Sequence, residues 1–158
     1  MFGREESIYM EALPEAVFCY VADIRRHAEW AAQALNITVE PGPEHGPGTI
    51  FSSTVRIGRG RITARGRVIS EESPVRFIYE CRDLSGHYRW LMILQAEGTG
   101  TRLIQRMERL QAPWWVCLIQ ANFLWPLHGR PSVQNGLANI KARLEARILT
   151  GESEVEDL

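Results

Sequence analysis

The sequence predicts an α+β protein in which an antiparallel sheet packs against one long C-terminal helix. From residue 49 to residue 108, apolar and polar side chains mostly alternate, which is typical of half-buried strands. From residue 131 to residue 148, apolar side chains recur at three- and four-residue steps, which places them on one face of a helix. This stripe consists of Val133, Leu137, Ile140, Leu144 and Ile148. Burial of each contributes roughly 1.5–3 kcal/mol, so the stripe requires a broad apolar partner, which the sheet can supply.

The composition is that of an ordinary globular domain. The 158 residues are 45% hydrophobic and 23% charged, so we expect one folded domain over residues 1–150. Residues 151–158 are acidic and are expected to form a disordered tail. The formal net charge of −1 gives no global argument for binding nucleic acid.

Cysteine usage and apolar runs bear on the cellular compartment. Cys19, Cys81 and Cys117 are odd in number, widely spaced and set among apolar neighbours, which predicts reduced core thiols and no disulfide framework. The first ten residues contain no apolar signal core, so we expect no export and a cytoplasmic location. No apolar run approaches the roughly 20 residues that a membrane-spanning helix requires.

The N-terminal third is expected to hold one strand, two short helices and a second strand. Residues 7–11 predict a strand, and the Leu13-Pro14-Glu15 motif predicts a helix start, because proline suits a first turn and glutamate its positive end. The buried side of this helix is expected to be Val17, Phe18, Val21 and Ile24. A second helix over residues 24–31 and a strand over residues 36–40 follow, before a loop rich in proline and glycine.

Five strands then alternate with short turns at residues 58–60, 73–74, 85–86 and 98–100. One face is predicted to carry the larger apolar side chains, and the other most of the charged ones. The apolar face is predicted to consist of Phe51, Ser53, Val55, Ile57, Ile62, Ala64, Gly66, Val68, Val75, Phe77, Tyr79, Cys81, Tyr88, Trp90, Met92, Leu94, Leu103, Gln105 and Met107. The short turns predict an antiparallel meander, although one bulge would exchange the two faces beyond it.

The C-terminal helix carries signals at both ends. Pro131 suits a first helical turn, Ser132 beside it can supply a capping oxygen, and Gly151 stands just past the last apolar position as a stop.

Several short motifs match one superfamily in their order along the chain. They are residues 12–18 (ALPEAVF) at the first helix, Trp30 after the second, Ser73-Pro74 before the fifth strand, residues 98–103 (GTGTRL) at the last hairpin and residues 136–141 (GLANIK) in the final helix. With these motifs, the chain resembles the START-like (SRPBCC) superfamily over about residues 7–148, in its polyketide cyclase/dehydrase and lipid-transport branch. The resemblance implies a helix-grip fold, in which a curved sheet of six to seven strands wraps around the C-terminal helix with an apolar cavity between them. It implies no fixed catalytic residues.

The predicted ligand site is this cavity between sheet and helix. Aromatic residues and flexible methionines with a few polar groups are typical of a site for an apolar ligand, although the same residues can simply fill a core. Ser53 and Gln105 would need partners in a dry core, so they favour a pocket that holds water or a polar ligand group. The predicted ligand-binding residues are Trp30, Phe51, Ser53, Phe77, Tyr79, Tyr88, Trp90, Met92, Gln105, Met107, Leu137 and Ile140.

Two functions fit such a pocket. The first is carriage or sensing of a hydrophobic small molecule, such as a lipid, polyketide or isoprenoid. The second is a cyclase or dehydratase, which needs a proton donor or acceptor against its substrate. Tyr79, Tyr88 and His87 are the titratable groups around the sheet, but His87 is expected to point to solvent, and we assign no catalytic residue from the sequence.

No metal or nucleotide cofactor is expected. The four histidines, His27, His45, His87 and His128, lie far apart without ligand spacing. The paired glycines at residues 58–60 and 98–100 lack the third glycine and the strand-to-helix context of a dinucleotide-binding loop.

Seven arginines share the outer face of the predicted sheet: Arg61, Arg65, Arg67, Arg76, Arg82, Arg102 and Arg106. They can form a solvated face paired with Glu80 and Glu108, contact anionic lipid headgroups, or bind single-stranded nucleic acid. The absence of aromatic residues from this predicted face argues against nucleic acid.

The segment over residues 112–129 is unusually apolar and has no Asp, Glu, Lys or Arg. Its large apolar residues are Trp114, Trp115, Val116, Leu118, Ile119, Phe123, Leu124, Trp125 and Leu127. We expect a short helix or lid. Three interpretations stay open: a lid or core packing, transient membrane contact, or a homodimer interface through residues 114–127.

Overall fold

The computed structural model describes residues 3–33 and 35–151, and within these residues seven antiparallel strands form one curved sheet around a long C-terminal helix. The strands are β1 (Gly3–Met10), β2 (Leu35–Val39), β3 (Ile50–Ile57), β4 (Gly60–Glu72), β5 (Arg76–Asp83), β6 (Gly86–Glu97) and β7 (Gly100–Gln111). Their spatial order is β1-β7-β6-β5-β4-β3-β2, so β2 to β7 form a meander and β1 pairs with β7. The predicted α+β helix-grip fold is confirmed.

The helices lie between β1 and β2 and after β7. They are α1 (Pro14–Ala22), a 3₁₀ turn (Ile24–Arg26), α2 (His27–Trp30), α3 (Trp114–Ile119), a π-helical segment (Gln120–Gly129) and α4 (Arg130–Thr150). Pro14 occupies the first turn of α1, as the sequence predicts. Asp23 accepts a hydrogen bond from the Arg25 backbone N–H at 3.0 Å, which caps the 3₁₀ turn and separates it from α1.

The core lies between the concave face of the sheet and the helices α1, α2 and α4. The predicted alternation holds, because Phe77 and Met92 of neighbouring strands pair directly and are both fully buried. Two irregularities interrupt the strand pairing, one between Val68 and Ser70 on β4 and one at the start of β6. Both lie at the ends of the predicted inward-facing runs, so they do not exchange the inner and outer faces of the sheet.

The predicted boundaries of α4 are wrong in two respects. Ser132 does not cap the helix, because the chain is already helical at Gly129 and α4 continues from the preceding segment. Ile148 does not belong to the buried stripe, since its side chain is 55% exposed whereas Leu144 is buried. Gly151 does end the helix, in the left-handed conformation with φ 73°. The expected disordered tail lies outside the described residues after residue 151.

The sequence predicts Val75 on the inner face of β5, and this prediction is also wrong. The strand begins at Arg76, and the Val75 backbone N–H instead donates to the Glu72 carbonyl in the preceding turn, which leaves the side chain exposed.

The outer face of the sheet carries arginines in ion pairs, but mostly with other acids than those predicted. Arg65 binds Glu40 with two hydrogen bonds of 2.8 and 2.9 Å. Arg76, Arg102 and Arg106 pair with Glu72, Glu97 and Glu5. The predicted partner Glu80 instead binds Arg89 and His87. Four of the seven predicted outer-face arginines are therefore paired with a carboxylate on a solvated surface.

In the part of the chain that the structure describes, no helix has the length and apolar character needed to cross a membrane.

Candidate functional site

A cavity of about 450 Å³ lies between the concave face of the sheet, α2, the π-helical segment and the first turn of α4. This volume falls within the range of about 300–1,000 Å³ that small-molecule sites occupy. Alternate side chains reach it from the strands, because every second residue of a strand points to the same face. Three of the residues that line it, Gln33, Leu124 and His128, are exposed, so the cavity opens to solvent there.

Six of the twelve predicted ligand-binding residues line this cavity. They are Phe51, Ser53, Tyr79, Tyr88, Trp90 and Met107. Phe51 and Trp90 supply large apolar surfaces, Met107 a flexible one, and Ser53 and the tyrosines hydroxyl groups. The wall therefore combines apolar contact area with a few hydrogen-bonding groups, as small-molecule sites do.

The other six predicted residues lie in the packed core and off the cavity wall. They are Trp30, Phe77, Met92, Gln105, Leu137 and Ile140. Here α4 packs directly on the sheet, because its side chains Leu137 and Ile140 are buried in the core against the strands. The Oε1 atom of Gln105 is buried and has no hydrogen-bond partner among the described residues.

Sequence reasoning missed several wall residues, among them Arg4, His27, Trp125 and Val133. Arg4 was missed because the first strand was predicted to begin at residue 7, whereas β1 begins at Gly3. His27 had a usable signal: it lies three residues after Ile24 and three before Trp30, so all three share one helical face.

His27 is the most deeply buried titratable group on the wall, with 4% of its surface exposed. Its Nε2 atom lies 2.8 Å from the carbonyl oxygen of Val21. Burial lowers the pKa of His27 from 6.5 to about 4, against the smaller raising effects of that hydrogen bond and of the Asp23 charge. The imidazole is therefore neutral at neutral pH.

Tyr79 and Cys81 face the cavity from β5, whereas Cys19, which is predicted to be a core thiol, is exposed on α1. Burial raises the pKa of Tyr79 well above its ordinary value of 10, and burial with the nearby Asp83 charge raises the pKa of Cys81 to about 12. Both groups stay protonated at neutral pH. Tyr79 can thus donate a hydrogen bond, whereas the Cys81 thiol is a poor nucleophile.

A second polar group lies near the start of β6. The Ser85 hydroxyl donates to Oδ1 of Asp83 at 2.6 Å and lies 2.8 Å from the Tyr88 hydroxyl. Because serine has one hydroxyl hydrogen and an ionised carboxylate only accepts, the Tyr88 hydroxyl donates to Ser85. This hydrogen bond directs the Tyr88 proton towards the Asp83 turn.

Arg4 places a positive charge on the cavity wall. Its guanidinium carbon lies 4.7 Å from the ring centroid of Trp125, a cation–π contact that joins β1 to the π-helical segment. Burial lowers the pKa of Arg4, and the charge of Arg109 lowers it further. Both causes reflect an unfavourable environment for a cation, which still remains protonated.

The apolar segment after β7 borders the cavity. Leu124 and Trp125 line it, and Val116 is buried, so part of the segment packs against the fold, and a lid stays a prediction. Core packing of the whole segment is wrong, since Trp114 is 74% and Trp115 54% exposed. We define the exposed patch as Trp114, Trp115, Leu118, Ile119, Phe123, Leu124 and Leu127.

Titratable groups elsewhere do not gather into a metal centre within residues 3–33 and 35–151, where no three metal-ligating side chains come together. His87 lies on the outer face beside Glu80, as predicted, and not in the cavity.

Residues 1–145 match the sequence model of the family described as polyketide cyclase / dehydrase and lipid transport. The chain belongs to this family. The match spans every strand and most of α4, and it confirms the superfamily to which the sequence motifs point. No curated protein sequence matches the chain significantly.

Solved structures share the fold of this polyketide cyclase/dehydrase and lipid transport family member at low sequence identity. TTHA0849 from Thermus thermophilus is 16% identical with a TM-score of 0.71, over 96% of this chain and 100% of the other. The di-domain ARO/CYC StfQ from the steffimycin biosynthetic pathway is 13% identical with a TM-score of 0.74, over 92% of this chain and 52% of the other. Ara h 8.0201 is 13% identical with a TM-score of 0.65, over 92% and 98%. At these identities, the similarity shows the fold alone.

Proposed function

We propose that this family member binds a hydrophobic small molecule, such as a lipid, polyketide or isoprenoid, in the cavity between α4 and the sheet, as a carrier or sensor. The observation that carries the proposal is the open cavity of about 450 Å³ with Phe51, Trp90 and Met107 on its wall. An apolar ligand would displace water from these side chains, at roughly 25 cal/mol per Å² of buried apolar surface.

The wall supports binding without covalent chemistry. Its buried thiol and phenol stay protonated, and the Tyr88 hydroxyl is engaged with Ser85. None of these groups is an activated nucleophile, which needs a base or a lowered pKa.

The test is to look for a ligand in the protein as purified. Native mass spectrometry is expected to find a co-purified small molecule, and the emptied protein is expected to take up the apolar fluorophore N-phenylnaphthylamine. If the protein neither retains a ligand nor takes up the fluorophore, the proposal is contradicted.

A second candidate function is a cyclase or dehydratase reaction in the same cavity. It is favoured by the protonated hydroxyl of Tyr79 and the neutral imidazole of His27 on one wall, since proton transfer to a bound polyketide needs such groups. For this candidate, Tyr79→Phe is expected to abolish turnover of a polyketide substrate and leave its affinity nearly unchanged. Equal losses of affinity and turnover would support the simple carrier.

A further inference from the structure

The hydrogen bond of His27 fixes which of its ring nitrogens carries the proton. A backbone carbonyl can only accept, so the Nε2 atom, 2.8 Å from the Val21 oxygen, carries the hydrogen. Burial keeps the ring neutral, because the pKa of His27 is lowered to about 4. The Nδ1 atom therefore has a lone pair and can accept a hydrogen bond from a ligand.

Tyr79, which lies beside His27, supplies a hydrogen-bond donor. The two ring centroids are 5.3 Å apart, and both residues line the cavity. Phe51 and Trp90 contact the Tyr79 ring, with centroids at 6.0 and 6.5 Å, and hold it in place. Its hydroxyl makes no hydrogen bond within the described part of the chain, and its proton remains available to donate.

We propose that His27 and Tyr79 form one recognition site for a ligand hydroxyl group, which donates to Nδ1 of His27 and accepts from the hydroxyl of Tyr79. This inference rests on the proposed function and adds a ligand class to it: the cavity selects alcohols and phenols. A hydrocarbon would leave both polar groups unpaired, and a carboxylate has no hydrogen to donate to Nδ1.

The core beside His27 also contains a polar group. Trp30, whose ring centroid lies 4.7 Å from that of His27, buries its indole Nε1 without a hydrogen-bond partner among the described residues. Buried polar atoms in folded proteins nearly always have partners. Trp30 lies off the cavity wall, so this unpaired donor shows only that the core next to His27 is not entirely apolar.

The experiment compares two probes of similar size, β-naphthol and β-methylnaphthalene, by calorimetric titration. Hydrophobicity alone favours the methyl compound, so a preference for the naphthol reports hydrogen bonding. Wild type is expected to bind β-naphthol at least about 10-fold more tightly. Tyr79→Phe is expected to reduce this preference below about 3-fold.

Two further variants complete the test. Tyr9→Phe removes a tyrosine hydroxyl away from the cavity wall and should keep the preference. His27→Phe should abolish it, with folding checked by circular dichroism because this variant also loses the bond to Val21. Equal affinities in wild type, or a preference that survives in Tyr79→Phe, would overturn the inference while the proposed function stands. If neither probe binds, the inference is overturned, and the proposed function is contradicted as well only if the protein retains no ligand and does not take up N-phenylnaphthylamine.

Discussion

At the scale of the single residue, His27 links the stability of the fold to the polarity of the cavity. Its ring packs against Trp30 and Tyr79, and its Nε2–H donates to the Val21 carbonyl at the end of α1. Protonation would place a buried charge there, with the partial compensation of the Asp23 carboxylate. A buried charge without a close partner is costly.

This environment predicts a pH dependence of folding. The folded-state pKa of about 4 lies below the ordinary value of 6.5, so the unfolded chain binds more protons between these pH values. The contribution of His27 to the free energy of unfolding is therefore fully present above pH 6.5 and decreases as the pH falls. Between pH 7 and pH 5, we expect His27 to account for a loss of about 2 kcal/mol.

Urea denaturation of wild type and His27→Gln at the two pH values measures this contribution. Glutamine keeps an amide donor for the Val21 carbonyl but does not titrate, so its stability should fall by about 2 kcal/mol less than that of wild type. Identical pH dependence in the two proteins would show that His27 is not buried as a neutral ring.

Sequence patterns located part of the cavity wall and missed other parts for identifiable reasons. Alternation along the strands predicted Phe51, Tyr79 and Trp90, because a strand sends every second side chain to the same face. It could not separate them from Phe77, which has the same parity but is fully buried in the core, since parity carries no information on where a helix crosses the sheet. His27 was missed because the absence of metal-ligand spacing among the histidines carries no information on whether a single imidazole lines an apolar cavity.

At the scale of the element, Gly66 shows how β3 and β4 build the cavity wall. Gly66 pairs directly with Phe51, and the Phe51 ring lies over the glycine. A Cβ atom at residue 66 would fall inside the van der Waals radius of that ring. Glycine is required here because the ring covers the backbone closely, and not because of a positive φ.

We therefore expect Gly66→Ala to lower the free energy of unfolding by about 1–3 kcal/mol, the usual cost of an overpacked core. Gly136→Ala is the matched control, since it adds the same atom to another buried glycine, where the nearest Trp30 atoms lie 3.4 and 3.5 Å away. Removing a glycine from the interior of α4 should raise stability by about 0.5–1 kcal/mol. Chemical denaturation checks both, and equal effects of the two changes would contradict the described packing.

The ends of the elements were the least predictable part of the fold. The apolar stripe of α4 was predicted to reach Ile148, but burial stops at Leu144. Periodicity identifies a helical face, whereas the length that is covered depends on what packs against it. The predicted cap at Ser132 is wrong for a related reason: the segment before α4 is itself helical, so α4 needs no capping residue there.

At the scale of the whole molecule, the exposed patch beside the cavity presents seven large apolar side chains to solvent. Large exposed apolar patches mark sites of contact with proteins, membranes or ligands. Its tryptophans are exposed, so they should contribute little to folding. We expect the double variant Trp114→Ser/Trp115→Ser to change the free energy of unfolding by less than about 1 kcal/mol.

Trp30→Ala is the control for a buried tryptophan and should cost about 3–5 kcal/mol. A loss of several kcal/mol in the double variant would place these indoles in the core and contradict the structure.

Light scattering and sedimentation with lipid vesicles, applied to wild type and the double variant, distinguish a homodimer from membrane contact.

If the cavity between α4 and the sheet binds a hydrophobic molecule, as we propose, a side chain that fills the cavity should block binding. Ala64 lies on the wall, and Ala64→Phe would fill part of the space, whereas Ala142→Phe adds the same ring to the exposed side of α4. The measurement is the affinity for N-phenylnaphthylamine by fluorescence titration. We expect binding by wild type and Ala142→Phe, and at least about 10-fold weaker binding by a folded Ala64→Phe. Unchanged affinity in Ala64→Phe would contradict the proposal.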